Sequence, residues 1–397
     1  MKKFIRTIFS LLLSFFATTD IILAAPVING ISGSPAHGKT LLIGGTGFGV
    51  KTIAAPFMWD NFENGTPGNP LSTTRWGLKT ISPTVTCYNN SNVRNSSSNT
   101  LSLYSEILHG SAPSFWLDNV TSGRKIYLNM WIYYDHGNGE PLSGSTYQVK
   151  TWRFHVGTNS YNIQVPSAPL FCWDSSIDGD NNANYYIPIT YSGAAIPPNP
   201  IYGTATPTRT DIENKILFNN YWMNVQWEFE DSSEVDAYDA CLKVYYSYEP
   251  SQTHPYFRGE IPDTSTGQVW ATHISGKPND RIKSVLFQNY IDALSGGANI
   301  YYDDIYIDNT WARVEIGNAS DYNSCTHREI QLPAAWDDGS ISITVNQGSF
   351  SDGETGYLYV IDENGISNAN GYAINFDSAT ILQDTIHPAP PKNITIQ

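Results

Sequence analysis

Two stretches of this chain alternate between apolar and polar residues with a period of two. In "KIYLNMWIYY", from Lys125, the residues Ile126, Leu128, Met130 and Ile132 are aliphatic or thioether. Between them stand Tyr127, Asn129, Trp131 and Tyr133. "YWMNVQWEFED", from Tyr221, repeats the pattern: Met223, Val225, Trp227 and Phe229 alternate with Trp222, Asn224, Gln226, Glu228 and Glu230. Successive side chains of a strand point to opposite faces, so each stretch predicts a β-strand with one buried face and one face rich in polar and aromatic groups. Tyr and Trp are abundant, Gly and Pro frequent and charge sparse. Only 209–219 reads as a short helix, so the chain is expected to be all-β.

The first residues are set apart from the fold. Lys2, Lys3 and Arg6 precede an apolar run from Ile8 to Phe16, and a second cluster, Ile21 to Leu23, leads into Ala24-Ala25-Pro26. That is the layout of a signal peptide over residues 1–24. Thr18, Thr19 and Asp20 interrupt the run well short of a membrane span. The reading places the protein outside the cytoplasm, as a secreted, periplasmic or cell-surface protein without membrane insertion.

Removing residues 1–24 takes three basic and one acidic residue from the chain's 22 and 37, leaving a formal charge of −17. Such a surface repels nucleic acid and acidic polymers. In an oxidising compartment Cys87, Cys172, Cys241 and Cys325 are expected to form disulfides, with three pairings open.

Some 370 residues exceed what one core usually organises, so about two domains are expected. "VINGISGSPAHGKTLLIGGTGFG", residues 27–49, reads as a hairpin whose glycines at 44, 45, 47 and 49 permit a bulge or sharp bends. Its Ile-Ser, Pro turn and Gly-framed strand resemble the start of an IPT/TIG domain, an Ig-like fold. The expected second half does not follow. Instead, "FMWDNFENGTPGNPLSTTRWG" from Phe57 resembles the entry strand of a concanavalin A-like (laminin-G-like) jelly roll, and "ANIYYDDIYIDNT", 298–310, resembles the exit strand. In that fold the first and last strands commonly pair. Next come "ARVEIGN" and 328–376, which resemble the missing IPT/TIG half, with Val345, Tyr357, Tyr359 and Val360 in strands and Asp352-Gly353 and Asn364-Gly365 at turns. The resemblances together imply a jelly-roll β-sandwich, 57–310, inserted in a split Ig-like β-sandwich of 27–56 plus 311–377. A proline-containing tail, 378–397, closes the chain. The competing arrangement is a tandem one, with 27–56 packed as an arm on the jelly roll.

A third stretch, "YQVKTWRFH", divides less cleanly. Val149 and Thr151 suit an inward face, with Gln148, Lys150 and Trp152 opposite, but Arg153 and His155 then share the inward parity unless a bulge near Trp152 intervenes. If all three strands share a sheet, one surface carries Tyr127, Asn129, Trp131, Tyr133, Gln148, Lys150, Trp152, Trp222, Asn224, Gln226 and Glu228. Aromatic faces pack on the CH side of sugar rings while amides and carboxylates bond the hydroxyls. Jelly rolls of this kind commonly hold glycans, so an extracellular polysaccharide or surface glycan is the expected partner.

Two enzyme schemes compete with simple binding. A polysaccharide lyase neutralises a uronic carboxylate, abstracts a proton and protonates the leaving oxygen, work that Lys150, Arg153 and His155 can divide. The Arg-x-Glu-x-Arg and Gln-Ile-His strands of lyase jelly rolls are absent. A glycoside hydrolase requires two carboxylates, for which Glu228 and Glu230 are candidates, but the Glu-x-Asp-x-(x)-Glu strand is missing. A purely structural or adhesive surface module is the third class. No cofactor is expected. "DSSIDGDNN" offers Asp174, Asp178 and Asp180 as ligands for a structural calcium, although the twelfth loop position is Tyr185. "DDIYID" reads either as a loop-edge acid site or as solvated strand positions.

Overall fold

The computed structural model describes residues 24–80, 85–94, 99–107, 113–120, 123–135, 148–156, four short strands within 170–192, and 221–249, 257–261, 282–292 and 298–376. In chain order β1 (Val27–Gly33), β2 (Thr40–Thr46), β3 (Met58–Asp60), β4 (Gly77–Lys79), β5 (Thr86–Asn89), β6 (Ser102–Ile107) and β7 (Ser114–Leu117) lead to β8 (Lys125–Asp135) and β9 (Gln148–Val156). The short β10 (Leu170–Trp173), β11 (Ser176–Asp178), β12 (Asn184–Tyr186) and β13 (Ile189–Ser192) follow. Then come β14 (Trp222–Glu230), β15 (Cys241–Tyr248), β16 (Phe257–Ile261), β17 (Ile282–Asp292) and β18 (Ala298–Asp308). Last are β19 (Arg313–Gly317), β20 (Arg328–Ile330), β21 (Leu332–Asp337), β22 (Ser340–Thr344), β23 (Thr355–Ile361) and β24 (Tyr372–Asn375). The described residues are all-β, with one 3-10 turn at Tyr322–Ser324. None of their helices is long and apolar enough to cross a membrane. The short helix expected at 209–219 lies outside the described residues.

A large sheet of order β16-β15-β14-β8-β18-β6-β5, with β3 joined to β18, packs on the smaller sheet β4-β7-β17-β9. The core between them is built from the alternation read above. Ile126, Leu128, Met130 and Ile132 of β8 and Met223, Val225, Trp227 and Phe229 of β14 are all buried there. They meet Trp152 and Phe154 of β9, and Trp227 lies edge-on to both of those rings. The entry strand β3 pairs with the exit strand β18, Trp59 opposite Tyr306.

A second sandwich stacks sheet β1-β2-β22-β21 on sheet β20-β19-β23-β24. Leu41 and Ile43 of β2 pair with Ile343 and Ile341 of β22, so strands from both sides of the first sandwich share one sheet. They pack on Val314, Ile316, Leu358 and Val360 from the other sheet. The register of β1 slips between Ile28 and Gly30, where the glycine pair Gly44-Gly45 lies opposite.

Two expectations are corrected here. The third alternating stretch, β9, does not lie beside β8 and β14: it is in the opposite sheet, next to β17. Its parity is also reversed, with Trp152 completely buried between the sheets. The irregularity looked for near Trp152 sits on the partner strand, where β17 carries an extra residue between Phe287 and Tyr290. Asn289, there, takes a positive φ of 50°. Trp152 is the larger apolar surface, and burying it outweighs the preference of a mixed Lys-Thr-Trp-Arg run for either face.

The disulfide expectation is also corrected: no disulfide is seen among the described residues, where Cys87 and Cys325 are free thiols, and the side chain of Cys172 lies outside them. Cys87 on β5 and Cys241 on β15 are separated by four intervening strands of one sheet. At about 4.8 Å per strand that is far beyond the reach of a disulfide. Cys325 lies in the second sandwich with its Sγ 3.5 Å from the carbonyls of Ala319 and Asp321.

Candidate functional site

The outer face of the large sheet decides what the molecule offers to a ligand. Strand pairing arranges its residues in rows that cross β14, β8 and β18, and part of β6. One row runs Trp222, Tyr133, Tyr301, Tyr104. The next is Asn224, Trp131, Asp303, followed by Gln226, Asn129, Tyr306 and then Glu228, Tyr127, Asp308. Between Asp303 and Tyr306 β18 bulges. The one extra residue lets the aspartates at 303, 304 and 308 all reach partners, and Asp304 adopts a φ of 47°.

Three of these rows are roofed by the second sandwich. Apolar Val314 and Ile316 of β19 turn into its own core, so the alternate residues Arg313 and Glu315 face the large sheet. The Arg313 guanidinium lies 4.2 Å from the ring centre of Tyr127, and its Nη2 meets Glu228 at 2.7 Å. Arg328 stacks on Tyr245 at 3.8 Å. A chain of hydrogen bonds crosses the sheet: Gln226 donates to Asn224 (2.8 Å), Asn224 to Asn129 (3.0 Å), and Asn129 to the hydroxyl of Tyr127 (3.2 Å). That hydroxyl donates in turn to Glu315 at 3.1 Å. Burial acts to raise Glu315, but Arg313 and Arg328 outweigh it and hold the carboxyl down at about 2.

Arg94 closes the roof over Trp131, 3.8 Å from its ring centre and with no exposed side-chain surface. It bonds Glu249 at 3.0 Å and Asp304 at 2.5 Å, and it also contacts Glu329. Burial acts to raise Glu329, but Arg94 and His327 hold it at about 2. Asp304 is instead pushed up to about 6, chiefly by burial. Asp303 is raised well above the carboxylate range by burial and then by Asp304. Gly348, at a φ of +55°, is required here because a Cβ would collide with the Glu329 carboxyl. At the far edge Lys51 meets Asp308 at 2.6 Å, while burial pushes both groups toward neutrality. The acids of "DDIYID" are therefore neither solvated nor at a loop edge.

Tyr127, Asn129, Trp131, Asn224 and Gln226, expected on an open surface, are at most 3 % exposed, and Glu228 is held by Arg313. The expectation of exposure is corrected for them. Strand alternation correctly separates the two faces of a sheet but carries no information about what is stacked on the outer one.

The first row stays outside this roof. Its rings stand one per strand, with centroids 5.6 Å apart from Trp222 to Tyr133, 5.7 Å from Tyr133 to Tyr301 and 5.1 Å from Tyr301 to Tyr104. Tyr133 and Tyr104 are half-buried, whereas Trp222 is 6 % and Tyr301 9 % exposed. The indole N–H of Trp222 is buried without a hydrogen-bond partner. Beyond the rings, toward the strand ends, lie Asp135 and Asn299, paired across β8 and β18. Tyr104 donates to Asn299 at 2.9 Å, and Asn299 donates to Asp135 at 3.3 Å. Burial first, and Asp135 second, raise the hydroxyls of Tyr133 and Tyr301, so both are neutral donors at ordinary pH.

Of the residues singled out in the sequence, only Tyr133 and Trp222 belong to this row. Tyr301, Tyr104, Asn299 and Asp135 went unremarked. Alternation through Asn299, Tyr301 and Asp303 carries the signal for two of them, but the bulge at Asp304 breaks the period in the second half of β18. Gln148, Lys150, Arg153 and His155 lie on β9, in the opposite sheet, and their side chains fall outside the described residues. Asp174 and Asp180, and the side chain of Asp178, also fall outside them, so the calcium loop has no structural description. Among the described residues no group of His, Cys, Asp and Glu could hold a metal ion.

No family model matches the chain, and no curated protein does. Solved structures overlap it loosely. A cellulose-induced protein, Cip1, shares 14 % identity over 64 % of this chain and 97 % of its own, with a TM-score of 0.36. Lectin II from Ulex europaeus shares 11 % over 64 % and 99 %, with a TM-score of 0.31. The alginate lyase vAL-1 from Chlorella virus shares 11 % over 59 % and 88 %, with a TM-score of 0.30. Overlaps this loose transfer no activity to this chain.

Proposed function

We propose that this protein is a secreted glycan-recognition protein whose binding surface is the aromatic row Trp222, Tyr133, Tyr301 and Tyr104. One observation carries the reading: four rings stand side by side on four adjacent strands, outside the roof that covers the rest of the face. At the ~4.8 Å spacing of neighbouring strands the row is about 14 Å long, which suits a few consecutive sugar units. Ring faces and edges supply apolar contact, and the Tyr hydroxyls, Asn299 and Asp135 supply hydrogen bonds along one side. In this reading the second sandwich, IPT/TIG-like in its sequence features, acts as a rigid wall along the row. The N-terminal leader directs export.

Affinity electrophoresis of the protein without residues 1–24 tests the reading on gels cast with a panel of polysaccharides. Retardation is expected on at least one polymer. Trp222→Ala or Tyr301→Ala should abolish it, and Trp131→Ala, under the roof, should not. No retardation on any polymer would favour a structural or adhesive module. Release of unsaturated, ultraviolet-absorbing products would favour the lyase.

A further inference from the structure

Lys51 lies between β2 and β3, and Asp308 ends β18, so 257 residues separate them in the chain. Their side chains nevertheless meet, with Nζ 2.6 Å from Oδ2 and only 2 % and 3 % of their surfaces exposed. The surroundings are aromatic. The Trp336 ring centre lies 5.7 Å from Nζ, and the Tyr306 ring stands edge-on to Tyr127 beside the pair. The Tyr306 hydroxyl donates to Asp308 Oδ2 at 3.0 Å and lies 3.4 Å from Lys51 Nζ. Oδ1 of Asp308 accepts the backbone N–H of Asn309 at 2.9 Å.

Desolvation works against the charged form of such a pair. Burial lowers Lys51, with Arg313 adding to the effect and Asp308 opposing it, and burial raises Asp308 against the pull of Lys51. One proton moved along the 2.6 Å contact converts ammonium and carboxylate into amine and carboxylic acid. A neutral amine is a nucleophile, and the carboxyl carbon is one bond beyond the oxygen it already touches. Two such groups rarely react in water, but here the fold holds them together permanently.

We propose that Lys51 and Asp308 form an intramolecular isopeptide bond, a covalent tie between the N-terminal strands of the second sandwich and the last strand of the first. Lys51 Nζ attacks Asp308 Cγ, and the Asn309 N–H stabilises the negative charge that develops on Oδ1. A proton then passes from the nitrogen to the Oδ2 hydroxyl, with the Tyr306 hydroxyl as relay, and that oxygen leaves as water. One N–C amide bond is made, one C–O bond is broken, one water is released, and no oxidant or co-reactant is consumed. The tie closes a loop across 257 residues and restrains the unfolded chain as a disulfide would, without cysteine. It does not depend on what the aromatic row binds.

Intact mass of the folded, purified full chain, measured in denaturant after reduction and with the N-terminal residue determined, tests the proposal. The expected mass is that of the chain less one water. Digestion should then release one branched peptide joining the segment around Lys51 to that around Asp308. Full mass would overturn the proposal and leave the pair as a buried salt bridge. So would a missing water that maps elsewhere, such as a succinimide at Asp338-Gly339 or Asp352-Gly353. Lys51→Arg keeps the positive charge but offers no neutral amine, so its mass should be full. A deficit of one water that persists in this variant would also overturn the bond. If the variant does not fold, the wild-type mass and its peptide map decide alone.

Discussion

The outer face of the large sheet carries aromatic and polar residues along its whole length, yet its two parts have different fates. Under the second sandwich, Trp131 lies against Arg94 and Tyr127 against Arg313, and the amides of Asn129, Asn224 and Gln226 satisfy one another. In the next row along the same strands, Trp222 and Tyr301 are also buried and pack with Trp131, while Tyr133 and Tyr104 are only half-buried. Similar residues on the same strands thus serve as charge-laced internal packing in one place and as a largely buried aromatic stack with two half-exposed rings in the other. The composition of a surface does not distinguish a ligand site from a domain interface.

The comparison breaks most visibly at Arg94. Replacing it with Met leaves three buried carboxylates without their cation, and removal of one partner from a buried ionic cluster costs about 3–5 kcal/mol. Urea unfolding should show a loss of that size, and a loss below about 1 kcal/mol would mean that water reaches the roofed region. Next in size is Trp131→Ala, expected to cost about 3 kcal/mol or more as a fully buried aromatic, with glycan retardation unchanged in the protein that remains folded. Trp222→Ala, also at a buried ring, should cost a comparable amount of stability but abolish retardation in the protein that remains folded. If both substitutions behave alike, the division of the face is wrong.

Acidity sharpens the same division. Glu315 and Glu329 sit at about 2 in the folded protein, below the usual carboxylate value, so their contribution is present above about pH 4.5 and is lost as pH falls toward 2. Asp304 is raised to about 6, so its contribution is present below about pH 3.8 and is lost as pH rises through 6. The urea midpoint is therefore expected to rise from pH 7.5 to about pH 5 and to fall again below about 4.5. Glu315→Gln should flatten the acid limb and Asp304→Asn the neutral one. A midpoint insensitive to pH on both sides would contradict the buried network. The smallest effect is chemical: thiol labelling in denaturant without reductant should modify Cys87, Cys241 and Cys325, and a lower count would restore a disulfide.

Much of the first sandwich was legible in its strands. Ile126 through Ile132 and Met223 through Phe229 enter the core in the phase that alternation predicts. The hairpin at the start of the chain also lies where it was expected, and Gly47 and Gly49, at φ values of +71°, make the sharp bends after its second strand. Less was legible at the site. The stretch around Trp152 was assigned to the wrong sheet because alternation is local and strand neighbours are not. Tyr104 and Asp135 gave no signal, since each becomes a neighbour of Tyr301 only through pairing with β18.

By itself the sequence determined that the chain is all-β and which residues of β8 and β14 face inward. Both follow from the two-residue period of an extended backbone and from the cost of leaving apolar surface in water. Tertiary structure alone decided what covers the outward residues. Roofing depends on contacts between segments some two hundred residues apart, such as Arg313 with Tyr127 and Arg94 with Glu329, and no local pattern encodes a partner at that distance.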